Sequence, residues 1–220
     1  DMFKLGTHTV ELRYKNAYDL SYEIEVRPKA EILWTIEGEG TLRHRPMSMM
    51  VEPLKELGVT VRDGGGRLPI EVCGPMRGGK VVVDGSMSSQ FITGLLIALP
   101  MAERDTTIEV RGAVSTPYID MTLDTIERFG VEVMYNEGDY TQFYIEADQQ
   151  YKGIDYTIES DWSSAAAIMV AAAIAGEVTI KNISMLSRQA DTAICRALER
   201  AGASLISEEN SITVAHRELE

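Results

Sequence analysis

Leu123-Asp-Thr-Ile-Glu-Arg-Phe-Gly-Val-Glu-Val133 decides the fold. Ile126 and Phe129 lie at helical spacing and face a core. Gly130 then ends the helix, because glycine enters the left-handed conformation of a helix C-cap at little cost. Val131-Glu-Val133 alternates as a strand does. The phrase occurs twice more, as Val51-Glu-Pro-Leu-Lys-Glu-Leu-Gly-Val-Thr-Val61 and Cys195-Arg-Ala-Leu-Glu-Arg-Ala-Gly-Ala-Ser-Leu205. Leu54 and Leu57, then Leu198 and Ala201, repeat the apolar face. Gly58, Gly130 and Gly202 are 72 residues apart at each step (130 − 58 and 202 − 130). A period of this kind marks a fold built from equivalent supersecondary units.

Each copy also has a return strand, predicted at residues 68–73, 142–147 and 211–215. A second helix recurs at 88–102, ahead of a strand at 106–111, and at 163–175, ahead of a strand at 178–183. Both helices open on a serine pair, Ser88-Ser89 and Ser163-Ser164, whose hydroxyls suit the free amides of a helix start. A lone strand at 32–37 resembles the close of an earlier copy. Each unit reads helix, strand, strand, strand, helix, strand in cyclic order. Buried helices under small sheets, repeated about an axis, predict an α/β prism. Residues 1–30 stand outside the repeat; 10–14 and 20–26 alternate like a hairpin that turns at 15–19.

With 220 residues, 45% hydrophobic and 25% charged, the chain reads as soluble and globular with a real core. Its longest apolar stretch, 165–175, is too short to span a bilayer. No signal peptide is visible, so a cytoplasmic location is expected. Cys73 and Cys195 fall in no metal or redox spacing and are expected as free, largely buried thiols. The three histidines show no ligand spacing, and neither metal nor cofactor is expected. A net charge of −13 removes the basic stripe that nonspecific nucleic-acid binding needs. A small anion stays open as a ligand, since it needs only a few local donors. The glycine-rich stretches at 64–67 and 78–80 lack P-loop spacing and read as hairpin turns.

Four segments carry a family resemblance: His44-Arg-Pro-Met47, Asp84-Gly-Ser-Met-Ser-Ser-Gln-Phe91, Ser115-Thr-Pro-Tyr-Ile-Asp120 and Glu159-Ser-Asp-Trp-Ser-Ser164. In order and spacing they resemble the E-R-P-[IM], D-G-S-x-S-S-Q-F, S-x-P-Y-I-D and E-[GS]-D-x-S-S segments of EPSP synthases (3-phosphoshikimate 1-carboxyvinyltransferases). The resemblance covers residues 31–220, the middle of a family protein about twice as long. It implies an α/β fold of βαβαββ-type units, the inside-out barrel of the enolpyruvyl transferases, incomplete relative to the two-domain whole. Residues 1–30 are then an unmatched segment, 31–159 a partial shikimate-phosphate-binding domain, and 160–220 the first repeat of a second domain.

Ser88, Ser89 and Gln90 sit where a helix begins, so free amides and the positive end of the helix dipole face outward beside two hydroxyls. The Gln90 amide donates and accepts at once. The plain alternative is an N-cap. The resemblance implies that all three contact shikimate-3-phosphate, with Gln90 also near phosphoenolpyruvate. It likewise implies that Arg45 contacts phosphoenolpyruvate, as a guanidinium clamps carboxylate or phosphate; an ordinary surface arginine is the alternative. Ser115 and Tyr118 are expected on a segment held extended by Pro117. The resemblance gives them the sugar phosphate and the cyclohexene ring, while a half-buried core tyrosine stays open for Tyr118. Asp120 and Asp161 are expected to cap the helices that follow them. The resemblance adds a hinge or site role for Asp161. His44, often glutamate in the family, reads as solvated.

The family's early G-S-K-S-x-x-N-R and G-T-A-x-R segments are not in the sequence. Its proton-accepting aspartate, the glutamate and arginines after it, and the near-terminal lysine would fall past Glu220. No catalytic residue is therefore assigned. The implied reaction moves the enolpyruvyl group of phosphoenolpyruvate to the 5-hydroxyl of shikimate-3-phosphate and releases phosphate, a step of aromatic amino-acid biosynthesis. This chain would be a fragment or shortened form inactive alone, open to a complementing chain or to self-association, with neither nucleic acid nor membrane as partner. The alternatives are a noncatalytic shikimate-phosphate-binding or scaffold domain, and a UDP-sugar enolpyruvyl transferase. Ser-Ser-Gln-Phe and Ser-x-Pro-Tyr disfavour the latter, and acidity disfavours an RNA-cyclase relative.

Overall fold

Three helix ends share one set of hydrogen bonds. The computed structural model describes residues 33–216 together with the strands at 6–13 and 19–26. Gly58 N–H donates to Lys55 O and Val59 N–H to Leu54 O, at 2.9 Å each. Gly130 to Glu127 (2.8 Å) and Val131 to Ile126 (3.0 Å) repeat the pair, as do Gly202 to Glu199 and Ala203 to Leu198 (3.0 Å each). The three glycines have φ of +91°, +82° and +89°. This is Schellman closure, in which two otherwise orphaned carbonyls are satisfied as the chain leaves the helix.

The sheets repeat as faithfully. β1 (Gly6–Arg13) and β2 (Asp19–Val26) pair antiparallel as a hairpin. Next come β3 (Leu33–Ile36), α1 (Ser48–Glu56), β4 (Thr60–Asp63) and β5 (Ile70–Cys73), with sheet order β3-β5-β4. Then follow β6 (Lys80–Asp84), α2 (Gln90–Ala98), β7 (Thr106–Arg111), α3 (Thr116–Arg128), β8 (Met134–Asn136) and β9 (Asp139–Ile145), ordered β6-β7-β9-β8. Last are α4 (Trp162–Ala175), β10 (Glu177–Lys181), α5 (Ala193–Arg200), β11 (Ser204–Ser207) and β12 (Ser211–Ala215), ordered β10-β12-β11. In every copy the third strand lies antiparallel between the first and second. β6 adds a parallel edge to β7.

The chain divides into two compact units, residues 1–77 and 78–220. In the first, Val51, Val59, Val61 and Ile70 form the core, and Trp34 is 63% exposed. In the second, β6, β7 and β9 bury alternate residues, α2 buries Ile92, Leu95 and Leu96, and α3 buries Ile119, Leu123 and Ile126. A further cluster joins Trp162, Met169, Ile183, Cys195, Leu198, Ile212 and Val214. Trp162 is fully buried, and its indole N–H has no hydrogen-bond partner among the described residues.

Several expectations are corrected. No strand forms at 131–133: Glu132 N–H donates to Gln149 Oε1 (2.8 Å) and Gln149 Nε2 donates to Glu132 O (3.0 Å), so a side chain occupies the place of a neighbouring strand. A strand precedes α2, but none precedes α4; residues 146–161 are coil, tied down by bonds such as Asn182 Nδ2 to Ile158 O. The segment around Pro117 is helical rather than extended, because proline suits the first turn of a helix. Asp120 lies inside α3 and accepts from the Tyr140 hydroxyl instead of capping. Gly64–Gly66 do turn the β4–β5 hairpin, but Gly78 and Gly79 join strands of different sheets. α4 is buried on one side only, with Ile168 51% and Ile174 60% exposed. Cys195 is buried and free as expected, whereas Cys73 is half-buried. Of the turn expected at 15–19, residues 15–18 lie outside the described residues, as does Ile32.

Candidate functional site

α2 and α3 begin side by side. Gly85 N–H donates to Arg111 O (2.9 Å), and Val114 N–H donates to Gly85 O (3.3 Å), which ties the loop before α2 to the loop before α3. The approach at Gly85 is close: a Cβ would stand 2.9 Å from Ile92 Cδ1 and 3.0 Å from Val110 Cγ1, so those side chains would have to shift. The neighbouring Asp84 accepts from Ser86 N–H at 2.9 Å. Hydrogen bonds from the Ser86 side chain and backbone hold its carboxyl below the ordinary aspartate range.

The two helix starts enclose a cavity of about 380 Å³. Ser88, Ser89 and Gln90 line it from α2, and Ser115 and Tyr118 from α3. The Ser88 hydroxyl accepts from Gln90 N–H at 3.1 Å, so it caps the helix. Ser89 holds the N-cap position and is only 4% exposed, yet its side chain makes no capping bond. Ser115 is the N-cap of α3 at φ +54°, ψ +41°, a strained conformation for serine, and its hydroxyl caps nothing either. Neither helix has an acidic residue in its first turn. Two positive helix ends, two uncommitted hydroxyls and an exposed amide therefore converge. No carboxylate, histidine, lysine or arginine lines the cavity among the described residues.

Three further residues complete the lining: Thr93, Met121 and Thr122. The Thr93 hydroxyl donates to Gln90 O (2.9 Å) and the Thr122 hydroxyl to Tyr118 O (2.8 Å). No sequence motif singles them out, although they stand three or four positions after Gln90 and Tyr118 and so share the helical face. Below them, Asp120 holds the Tyr140 phenol at 2.8 and 2.9 Å, a bond that pushes the phenol up to about 12.

The start of α4 is different. Asp161 accepts from Ser163 N–H (3.2 Å), Ser164 N–H (3.1 Å) and the Ser164 hydroxyl (2.5 Å). The Ser164 side chain first, then the two backbone amides, hold the Asp161 carboxyl below the ordinary range. The Ser163 hydroxyl donates to Asp191 at 2.6 Å. Asp161 is thus the cap, and both serine hydroxyls are engaged. It lines a second, more apolar cavity of about 670 Å³ that shares Tyr118, Met121 and Thr122 with the first.

Arg45 lies in the other compact unit, exposed, just after the turn Gly40–His44; His44 is exposed as expected. The structure thus gathers Ser88, Ser89, Gln90, Ser115 and Tyr118 in one cavity and sets Asp161 in the adjoining one. No group of three or more His, Cys, Asp or Glu residues that could hold a metal exists among the described residues. Among them, too, no helix is long and apolar enough to cross a membrane.

Fold and site define a repeat-built α/β protein that presents neutral donors, suited to an anion, at paired helix starts. The chain belongs to the EPSP synthase family: the family model described as EPSP synthase (3-phosphoshikimate 1-carboxyvinyltransferase) matches residues 26–220. It is 37% identical over 203 residues to a 3-phosphoshikimate 1-carboxyvinyltransferase of Methanosphaera stadtmanae, covering 89% of this chain and 47% of the relative. It is 40% identical over 196 residues to one of Mannheimia succiniciproducens, covering 86% and 44%. The fold resembles an EPSP synthase structure from Acinetobacter baumannii with a TM-score of 0.66 at 23% identity, covering 84% of this chain and 43% of that one. The chain spans less than half the length of these relatives.

Proposed function

We propose that this chain supplies the shikimate-3-phosphate-grasping side of an EPSP synthase. The observation that carries this reading is the convergence of Ser88, Ser89, Gln90, Ser115 and Tyr118 on one cavity, with the Ser89 and Ser115 hydroxyls free of capping duty. The phosphate takes hydrogen bonds from these hydroxyls and from amides at the helix starts, which strengthen when the acceptor is charged. Tyr118 flanks the ring. Gln90 also meets phosphoenolpyruvate; for Arg45 a contact to that substrate rests on the family resemblance alone. In this reading residues 31–159 form the partial shikimate-phosphate domain, 160–220 open a second domain, Asp161 stands at the crossing, and the protein works in the cytoplasm.

Enolpyruvyl transfer protonates the methylene of phosphoenolpyruvate while the 5-hydroxyl attacks C2, and phosphate then leaves. That chemistry needs positioned acids and bases. The cavity offers neutral donors instead, so this chain alone binds without turning over, and a complementing chain would supply the rest. Calorimetric titration with shikimate-3-phosphate should show weak binding. Silence at millimolar ligand would remove the site. A phosphate-release assay with both substrates should stay at background; robust turnover would overturn the division of labour.

A further inference from the structure

Asp-Gly occurs twice in the chain, at Asp63-Gly64 and at Asp84-Gly85. The dipeptide is chemically fragile, because glycine puts no side chain in the way when its backbone nitrogen attacks the preceding carboxyl carbon. Ring closure forms the new C–N bond, expels water and leaves a succinimide. Water then opens the ring at either carbonyl and returns aspartate or its β-linked isomer, isoaspartate, so the net change is an isomerisation. The step needs a glycine nitrogen that is free to swing onto the carboxyl. Both aspartates are exposed, so exposure of the carboxyl does not separate the two.

The glycine backbone does separate them. Gly85 is buried, its N–H donates to Arg111 O at 2.9 Å, and its carbonyl accepts from Val114 N–H at 3.3 Å. Ile92, Val110 and Ala113 crowd it. Ser86 also favours the ionised Asp84 carboxyl, a poorer electrophile than the neutral acid. Gly64 is exposed on the β4–β5 turn, and its N–H donates to nothing among the described residues. Gly65 and Gly66 follow at φ of +85° and +77°, so the chain past Asp63 carries no side chain until Arg67. The Asp63 carboxylate accepts from Gly66 N–H, a bond inside the same turn that opens whenever the turn does. We propose that Asp63-Gly64 converts to isoaspartate in the folded chain, while the fold shields Asp84-Gly85, the same dipeptide in the loop before α2. Conversion lengthens the main chain by a methylene at position 63 and displaces the carboxylate from Gly66. The Gly66 carbonyl accepts from Met47 N–H (2.7 Å) at the N-cap of α1, so the start of that helix feels the change.

Incubation of the folded chain at neutral pH over weeks, followed by Asp-N digestion and mass spectrometry, tests this. Asp-N cuts before aspartate and not before isoaspartate. Cleavage at position 63 should fall with time, and cleavage at position 84 should hold. Full cleavage retained at both positions, or a loss at 84 as large as that at 63, overturns the proposal. The same incubation in guanidinium chloride removes the fold, and both positions should then lose cleavage together. A position 84 that stays intact there shows that its protection does not come from the fold, and the proposal falls. Gly64→Ala places a methyl beside the attacking nitrogen and should preserve cleavage at 63. Gly64 lies outside the left-handed region, and an added Cβ would meet only Pro69 O, at 3.8 Å, so the fold should tolerate the change, which circular dichroism would verify. A Gly64→Ala chain that converts as fast as wild type also overturns the assignment. None of these outcomes depends on what the candidate site binds.

Discussion

The start of α2 and the start of α4 look alike in sequence and differ in what their serines do. At α4 an aspartate accepts both backbone amides, and each serine hydroxyl is spent on a carboxylate. Two residues ahead of the serine pair, where α4 has Asp161, α2 has Ser86 and no aspartate caps the helix. The helix there begins three residues later relative to the serine pair, only Ser88 caps, and the Ser89 hydroxyl is left without a partner among the described residues. A shift of one helix start thus converts a capping device into a set of free donors. The helix ends behave in the opposite way, with the same closure in all three copies. Ends define the scaffold, and starts are where function can enter.

The strongest test of this contrast is at the free donors. Ser89→Ala and Gln90→Ala should each weaken shikimate-3-phosphate binding about tenfold or more, since a lost bond to a charged group costs ~1.5–3 kcal/mol. The melting temperature should hold, because neither side chain caps. Titration calorimetry beside thermal unfolding reads both quantities; a stability loss without a binding loss would reverse the assignment.

At the invariant ends the pattern inverts. Gly130→Ala puts a side chain in the left-handed region, where an L-residue costs roughly 1–2 kcal/mol. The new Cβ also stands 3.0 Å from Lys152. Urea unfolding should register that loss while binding survives.

Asp161→Ala should lower the melting temperature and Asp161→Asn less so, since asparagine can still accept from the amides. The Asp161 carboxyl is held below its ordinary value in the folded chain. Its contribution is therefore complete above the ordinary aspartate value and is lost as pH falls through the depressed one. The gap between wild type and Asp161→Asn should close on acidification; a gap that widens would mean the charge is not what stabilises the cap. The smallest effect belongs to Ser163→Ala, the mirror of Ser89→Ala. It gives up one exposed bond to Asp191 and should alter stability by no more than about 0.5 kcal/mol, with binding untouched.

The repeat was legible because glycine at a helix C-cap is a backbone requirement, and backbone requirements recur visibly. Strand order was not, since nothing local to β12 says that it will lie between β10 and β11. The Val131-Glu-Val133 alternation misled because Gln149, distant in sequence, offers Glu132 both a donor and an acceptor. The site was legible as a set of residues through its motifs. Its geometry was hidden by Pro117, which can hold a chain extended or start a helix, and here starts α3. Thr93 and Thr122 were hidden because their hydroxyls are unremarkable until two helices face each other.

Trp34 and Trp162 are the only two indoles of the chain, and they fall in different compact units. One is largely in solvent and the other is sealed in a core with its N–H unmatched. Their fluorescence should separate, red-edge and quencher-accessible for Trp34, blue-edge and shielded for Trp162. A single emission spectrum recorded through denaturant then reports the melting of each half of the molecule by its own colour.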